Sequence, residues 1–247
     1  MEITNPMNVF KQKIIALGIH FTISLSIIVL AALVVQTFWY PGVLFEIDGG
    51  IQGLTIVFWV DVVLGPILTF CVYKKNKKGL TFDLALIALL QLSCLSWGLW
   101  QTYTQRPLLL VLTDDSFRTL NESSFDFHSI PLNILDSLPG TTPKLVWAKP
   151  EQSGDAPTSY EKLQKYFQEG PLYVQYKQYV PMHEALEYLK ISGFSSPESL
   201  QRNSRDTKTE SNENSSSTPI RFFSVEGKYD KAIIEIDTDN SAVSWSN

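Results

Sequence analysis

Ile51–Tyr73 reads IQGLTIVFWVDVVLGPILTFCVY, and KKNKKG (74–79) follows directly. An apolar run of 23 residues exceeds the ~20 that an α-helix needs to cross a bilayer. Lys74, Lys75, Lys77 and Lys78 then fall within five positions, and a further apolar run begins at Leu80. The lysine loop is thus a tight connection between two spans, and short lysine-rich loops stay on the cytoplasmic side. Asp61 stands in the middle of the first of these spans, and Gly65-Pro66 comes one turn later. A plain anchor has little use for a carboxylate and a proline at mid-membrane, so function is expected to attach to this region.

The rest of the chain falls into place around that pair. Ile14–Trp39 is another apolar run, preceded by Lys11 and Lys13 and leaving through Gln36-Thr37-Phe38-Trp39-Tyr40-Pro41. It is too long for a signal peptide, whose apolar core is shorter and ends in a small-x-small cleavage site. Trp39 and Tyr40 suit the membrane–water boundary, as do Trp97, Trp100 and Tyr103 at the far end of the run over 80–103. The loop over 41–50 carries Glu46 and Asp48 and no lysine. Lysines on one side and aromatics with acids on the other predict three spans (about 14–39, 51–73 and 80–103), residues 1–13 in the cytoplasm, and everything from 104 onward outside it.

The averages conceal this division. The chain is 45% hydrophobic with a net charge of −5, but residues 1–103 hold six lysines and five acids, while 104–247 hold 14 basic and 20 acidic side chains. An acidic second half without a basic cluster argues against a nucleic-acid partner. Both cysteines, Cys71 and Cys94, lie in apolar spans, so the second half has no disulfide framework and no cysteine metal site. It is long enough for one modest domain. Strands are expected over Leu108–Thr113, Lys144–Ala148, Pro171–Val180, Phe222–Val225, Ala232–Ile236 and Ala242–Trp245. Helices are expected over Thr158–Glu169, stopped by Gly170-Pro171, and over Pro181–Lys190. Gln201–Thr218, almost without apolar residues, reads as a flexible loop. The fold class is an α-helical membrane protein, three transmembrane helices followed by a small α+β extracytoplasmic domain.

At ~1.5 Å per residue, Asp61 lies ~18 Å from the cytoplasmic end of its span. Ser24 and Ser26 lie ~15–18 Å along theirs, and Gln91 and Ser93 ~13–17 Å. An uncompensated charge at that depth costs ~2.5–3.5 kcal/mol on insertion scales, so Asp61 needs a partner. It is either a packing pin within the bundle, a contact for another protein's transmembrane helix, or an ion site. Pro66 cannot donate to the carbonyl of Val62, which predicts a freed carbonyl and a kink. Gly18, Thr22 and Ser26 recur every four residues and form one small-residue face, which permits close helix contact. Asp83 falls in the first turn of the third span, where the helix dipole favours an acid and Thr81 is placed to cap. His20, His128 and His183 are scattered without metal-site spacing. Asp114-Asp115 is a bare pair in a turn. No phosphate loop, nucleophile elbow or dinucleotide turn is present, so neither an enzymatic site nor a cofactor is expected.

Several segments in order resemble the type IV pilin accessory proteins of the TfpX/TfpZ type. They are Gly18-Ile19-His20; Trp39-Tyr40-Pro41-Gly42 with Asp48-Gly49-Gly50; and Val60-Asp61-Val62-Val63-Leu64-Gly65-Pro66 with Leu68-Thr69. They continue with Phe82-Asp83-Leu84-Ala85, Ile87-Ala88-Leu89 and Gln91, then Arg106-Pro107, and finally Val225-Glu226-Gly227-Lys228-Tyr229 before a hairpin. The likeness is dense over 14–113 and thin over 114–220. It implies a bacterial inner-membrane protein with a periplasmic domain, which accompanies a type IV pilin and modulates pilus assembly or pilin stability without catalysis. Two alternatives remain at this point. One is a pilin-modifying membrane enzyme such as a glycosyltransferase, which would usually need more spans and a polar catalytic loop. The other is a membrane sensor with an outer ligand domain, for which the cytoplasmic parts are small.

Overall fold

The computed structural model describes residues 6–75, 77–113, 116–150, 159–194, 220–239 and 242–244. The chain divides into two compact units. One comprises residues 1–38 and 49–104; the other comprises 39–48 and 105–247. The expected loop over 201–218 and the Asp114-Asp115 pair lie outside the described residues.

The first unit contains three helices long and apolar enough to cross a membrane, Met7–Trp39, Gly50–Val72 and Leu80–Thr104. The first is helical from Pro6, ahead of the apolar run. Proline suits a first helical position because its missing N–H would have no partner there. Lys13 stays close to the bundle, with its Nζ 5.4 Å from the centre of the Phe70 ring. The second span is the most enclosed of the three. Its first half, Gly50–Phe58, packs on the third span, and its last part, Gly65–Val72, packs on the first. Large apolar side chains such as Ile19, Leu30, Ile56 and Leu89 remain exposed around the outside. Helices that are apolar all round suit a lipid environment.

The second span is not α-helical throughout. Trp59–Leu64 is a π-helical turn, and the N–H of Gly65 bonds to the carbonyl of Val60, five residues back. Pro66 therefore also leaves the carbonyl of Asp61 without a backbone donor, beside the carbonyl of Val62 that the sequence predicts it cannot serve. In an α-helix Gly65 would serve Asp61, and in a π-turn residue 66 would, but Gly65 bonds elsewhere and Pro66 has no N–H. Thr81 also differs from expectation. The third helix starts at Leu80, which puts Thr81 inside the first turn and not at its cap. Asp83 is in that turn as expected and pairs with Lys77 at 2.5 Å.

The second unit is built on a seven-stranded mixed sheet of order β4-β3-β1-β2-β5-β6-β7. The strands are β1 (Pro107–Leu112), β2 (Ser116–Asn121), β3 (Lys144–Ala148), β4 (Tyr179–Pro181), β5 (Ile220–Glu226), β6 (Lys231–Asp237) and β7 (Ala242–Ser244). All six residues of β1 are buried, as a continuous apolar run predicts for a strand covered on both faces. Leu109 and Val111 share a cluster with Leu120, Phe125, Ile130, Val146 and Val174. β2 was not apparent from the sequence. Its two apolar residues, Phe117 and Leu120, are three apart and so point to opposite faces: Leu120 joins that cluster, whereas Phe117 meets Phe223 edge to face.

The strand expected over Pro171–Val180 is instead two single turns of 3-10 helix, Leu172–Val174 and Tyr176–Gln178, ahead of β4. Gly170 at φ +80 and Pro171 begin a tight turn, whose carbonyls are met locally by the N–H groups of Val174, Gln175 and Gln178. The apolar alternation there reflects a packed turn and not a pleat. The expected helix over Pro181–Lys190 is a 3-10 turn, Met182–Ala185, that runs into an α-helix, Leu186–Ser192.

Candidate functional site

Within the helical unit, the proline and the π-turn create a polar device in apolar surroundings. The Asp61 carbonyl accepts a hydrogen bond from Gln91 Nε2 of the third span at 3.1 Å. Gly65 makes room for this: a Cβ there would collide with the Gln91 amide. Asp61, Gly65, Pro66 and Gln91, separate in sequence, thus form one construction. The Asp61 side chain takes no part in it. It is 6% exposed, and its Oδ1 is buried with no hydrogen-bond partner among the described residues.

That carboxyl lines a cleft of about 460 Å³. The polar lining is His20 and Ser24 from the first span, Asp61, Thr69 and Tyr73 from the second, and Gln91 from the third; the remainder is aliphatic, including Ile23, Ala88 and Leu92. Three nearby side chains are already engaged. His20 Nδ1 and Thr69 Oγ1 share a hydrogen bond of 2.6 Å, and Gln91 Nε2 serves the backbone. Of the polar residues expected at the level of Asp61, Ser24 and Gln91 are in the cleft. Ser26 and Ser93 instead bond back to the carbonyls of Thr22 and Leu89 on their own helices. His20 and Thr69 were not foreseen as a pair; their positions on facing helices were the only signal. Gly18, Thr22 and Ser26 are not used in packing: Thr22 and Ser26 are exposed, and a Cβ on Gly18 would meet nothing within 4 Å.

The sheet unit brings together a second group of sequence-distant residues. The Asp48 carboxylate, 4% exposed, accepts from Thr119 Oγ1 at 2.8 Å and from the backbone N–H of Lys228 at 2.9 Å. The carbonyl of Ile47 accepts from the N–H groups of Tyr229 and Asp230 at 2.9 and 3.3 Å. Gly227 is required where the β5–β6 turn meets this loop, since a Cβ would sit 2.6 Å from the Ile47 carbonyl oxygen. Burial pushes the Asp48 carboxyl above the usual carboxylate range, opposed by its bonds to Thr119 and Lys228. Tyr40 is fully buried, and burial raises its phenol, reinforced by Asp48 and Tyr229 and opposed by Arg106. Pro107 opens β1, a position where a strand tolerates proline.

Beside this joint lies a polar groove of about 390 Å³. Gln105 Oε1 accepts from Asn121 Nδ2 at 3.0 Å and from Lys228 Nζ at 3.2 Å, and its Nε2 donates to Ser123 Oγ at 3.2 Å. Arg118 pairs with Glu226 and lies 5.7 Å from the centre of the Tyr173 ring. His128 stands edge to face with Phe127 and with Tyr173, at 4.8 and 6.4 Å between centroids. Among the described residues, no three His, Cys, Asp or Glu side chains are grouped to hold a metal ion.

Comparisons with known proteins give the chain a family. A family model described as fimbrial assembly protein FimB matches residues 8–47, which covers the first span and the loop after it. The chain is 33% identical over 129 residues to the fimbrial assembly protein of serogroup I from Dichelobacter nodosus, covering 51% of this chain and 47% of that protein. It is also 33% identical over 116 residues to the fimbrial assembly protein of serogroups C1 and C2 from the same organism, covering 46% of this chain and 88% of that protein. The match to the serogroup E1 protein is 31% over 129 residues and again spans 47% of the relative. The chain therefore spans about half the length of two of these curated relatives. No solved structure matches it. At 33% identity over an alignment that covers 88% of the serogroups C1 and C2 protein, and with a FimB match on the first span, the chain belongs to the fimbrial assembly protein FimB family.

Proposed function

We propose that this chain is an integral inner-membrane accessory of type IV pilus biogenesis, which engages the membrane-resident helix of a pilin through the cleft around Asp61 and performs no reaction on it. The relatives' names supply the setting, fimbrial assembly. The observation that carries the reading is the Asp61 carboxyl, buried among aliphatic side chains with an unpartnered oxygen. A buried acceptor without a donor is unfavourable by about 1–3 kcal/mol, more if ionised. A packing pin would have found its donor within the bundle, yet His20, Thr69 and Gln91 serve other groups. An apolar helix that brings a donor into the cleft would satisfy the carboxyl and cover the exposed aliphatic wall together. The lysine loop favours a cytoplasmic N-terminus and a periplasmic sheet domain.

Asp61→Asn retains size and hydrogen-bonding capacity without charge, and Asp61→Leu removes both. A photo-crosslinking residue at Leu92, on the cleft wall, reports contact with pilin in native membranes. Both Asp61 variants are expected to accumulate normally in the membrane, lose the pilin cross-link and reduce surface pili. Normal piliation by Asp61→Leu at normal abundance would end the proposal.

A further inference from the structure

We propose that the groove on the sheet domain is a binding site for an uncharged sugar chain, of which it holds one or two hexose units. Three features of the groove select that chemistry. The first is an aromatic corner at its rim. Phe127 is 82% exposed among the described residues and stands on the lining of the groove. His128 props it edge to face and is itself backed by Tyr173. A fixed, exposed aromatic ring gives the C–H face of a sugar ring a flat apolar surface to lie on.

The second is the array of hydrogen-bonding groups beside that ring. Gln105, Asn121, Ser123 and Lys228 hold one another through the bonds centred on Gln105, so they are fixed before any ligand arrives. Each still has lone pairs or N–H groups to offer, so the array presents both donors and acceptors, as hydroxyls require. Arg118 and Glu226, paired with each other, also line the groove, with Arg118 beside the Tyr173 ring.

The third is charge. The lining carries two basic side chains, Arg118 and Lys228, and two acidic ones, Asp48 and Glu226. Asp48 and Glu226 are both engaged, the latter with Arg118 and with Lys231. No single-sign field remains to attract a phosphate or a carboxylate. Nor is an added peptide strand favoured, because β2 and β5, which flank the groove, each have a partner on both sides. A cleft near 390 Å³ is at the small end of ligand sites, about 300–1,000 Å³.

The test uses the full-length protein in detergent micelles or nanodiscs, with N-acetylglucosamine oligomers of one to four units as soluble probes. Saturable binding is expected, little changed between low and high salt, and weakened about tenfold by Phe127→Ala, which removes the ring contact. Phe127→Tyr restores it. Because Phe127 is exposed, its replacement leaves the core intact, and an unchanged thermal melt verifies this. Two sources of sugar are then separated. Retention on purified cell-wall sacculi, lost in Phe127→Ala, assigns the wall. Retention on a glycoprotein, abolished by enzymatic deglycosylation, assigns a protein-linked glycan. Either supports the site. Absence of binding in every arm, binding that persists undiminished in Phe127→Ala, or affinity that collapses with salt would overturn it.

Discussion

The link between Gln91 and the π-turn yields a prediction that can be worked through in numbers. Gln91→Leu keeps the third span apolar and removes the one donor given to the Asp61 carbonyl. An interhelical hydrogen bond in a membrane contributes about 0.6–2 kcal/mol, and a carbonyl left unpaired in apolar surroundings loses about 1–3 kcal/mol. The expected loss is therefore about 2 kcal/mol, or roughly 4–8 °C in melting temperature for a chain of this size. Cys71 and Cys94 both lie in the helical unit, so a thiol-reactive dye reports on that unit alone. Cys71 is already exposed, so the melt is best read from Cys94 in a Cys71→Ala background. Two further substitutions make the reasoning refutable. Gly65→Ala pushes a Cβ into the Gln91 amide, and should destabilise the wild type by a similar amount but have little effect beside Gln91→Leu. Pro66→Ala restores an N–H that can serve the carbonyls upstream, and should suppress Gln91→Leu. Strict additivity of Gly65→Ala with Gln91→Leu, or no effect of Gln91→Leu, would refute the proposed construction.

Three other outcomes follow. Gly227→Ala should destabilise the sheet domain by about 1–3 kcal/mol, read by scanning fluorimetry, because its Cβ would press on the Ile47 carbonyl. Asp48 has a raised carboxyl in the folded state, so its contribution is full at low pH and declines as pH rises through the folded value. Asp48→Asn, which can still accept both bonds, should therefore gain stability relative to wild type as the pH rises above the ordinary carboxylate value toward the folded one, and a flat difference over that rise would contradict the assigned burial cause. A reporter active only outside the cytoplasm should work when fused after Thr113 and fail at Lys77; the reverse pattern would invert the proposed topology.

The extent to which this was readable in sequence depended on whether a residue's environment is decided locally. The spans were readable because twenty-odd apolar residues have few other destinations. β5 and β6 were readable because their apolar residues follow the pleat, and β1 and β3 because a short continuous apolar run suits a covered strand. β2 was hidden because Arg118, Thr119 and Asn121 are polar for reasons set elsewhere: they face Glu226, Asp48 and Gln105. Pro171–Val180 misled because apolar alternation also occurs in a packed 3-10 turn. Asp61 and Pro66 stood out as residue types, but the carbonyl of Asp61 loses its backbone donor through a π-turn, and the side chain that serves it lies thirty positions away. Neither the His20–Thr69 pair nor the groove beside Gln105 has a linear signature, because the partners come from segments far apart in the chain.

The loop over 39–48 leads to the last prediction. As a connection between two spans it could be a simple turn, but the residues it contributes belong to the sheet domain. Asp48 and Ile47 together accept from Thr119, Lys228, Tyr229 and Asp230. Tyr40 and Leu44 are fully buried, and Ile47 nearly so. Burial of each large apolar side chain contributes about 1.5–3 kcal/mol, and each hydrogen bond about 0.5–1.5 kcal/mol. Their sum is comparable with the whole stability of a small domain, about 5–15 kcal/mol. A fragment over 105–247 should therefore fail to melt cooperatively, despite containing every strand of the sheet. The same fragment with residues 39–48 joined ahead of it by a short flexible linker should regain a cooperative transition, and Asp48→Ala in the loop should weaken that recovery. Cooperative unfolding of 105–247 alone, at the temperature of the joined form, would show that the loop merely rests on a domain that folds without it.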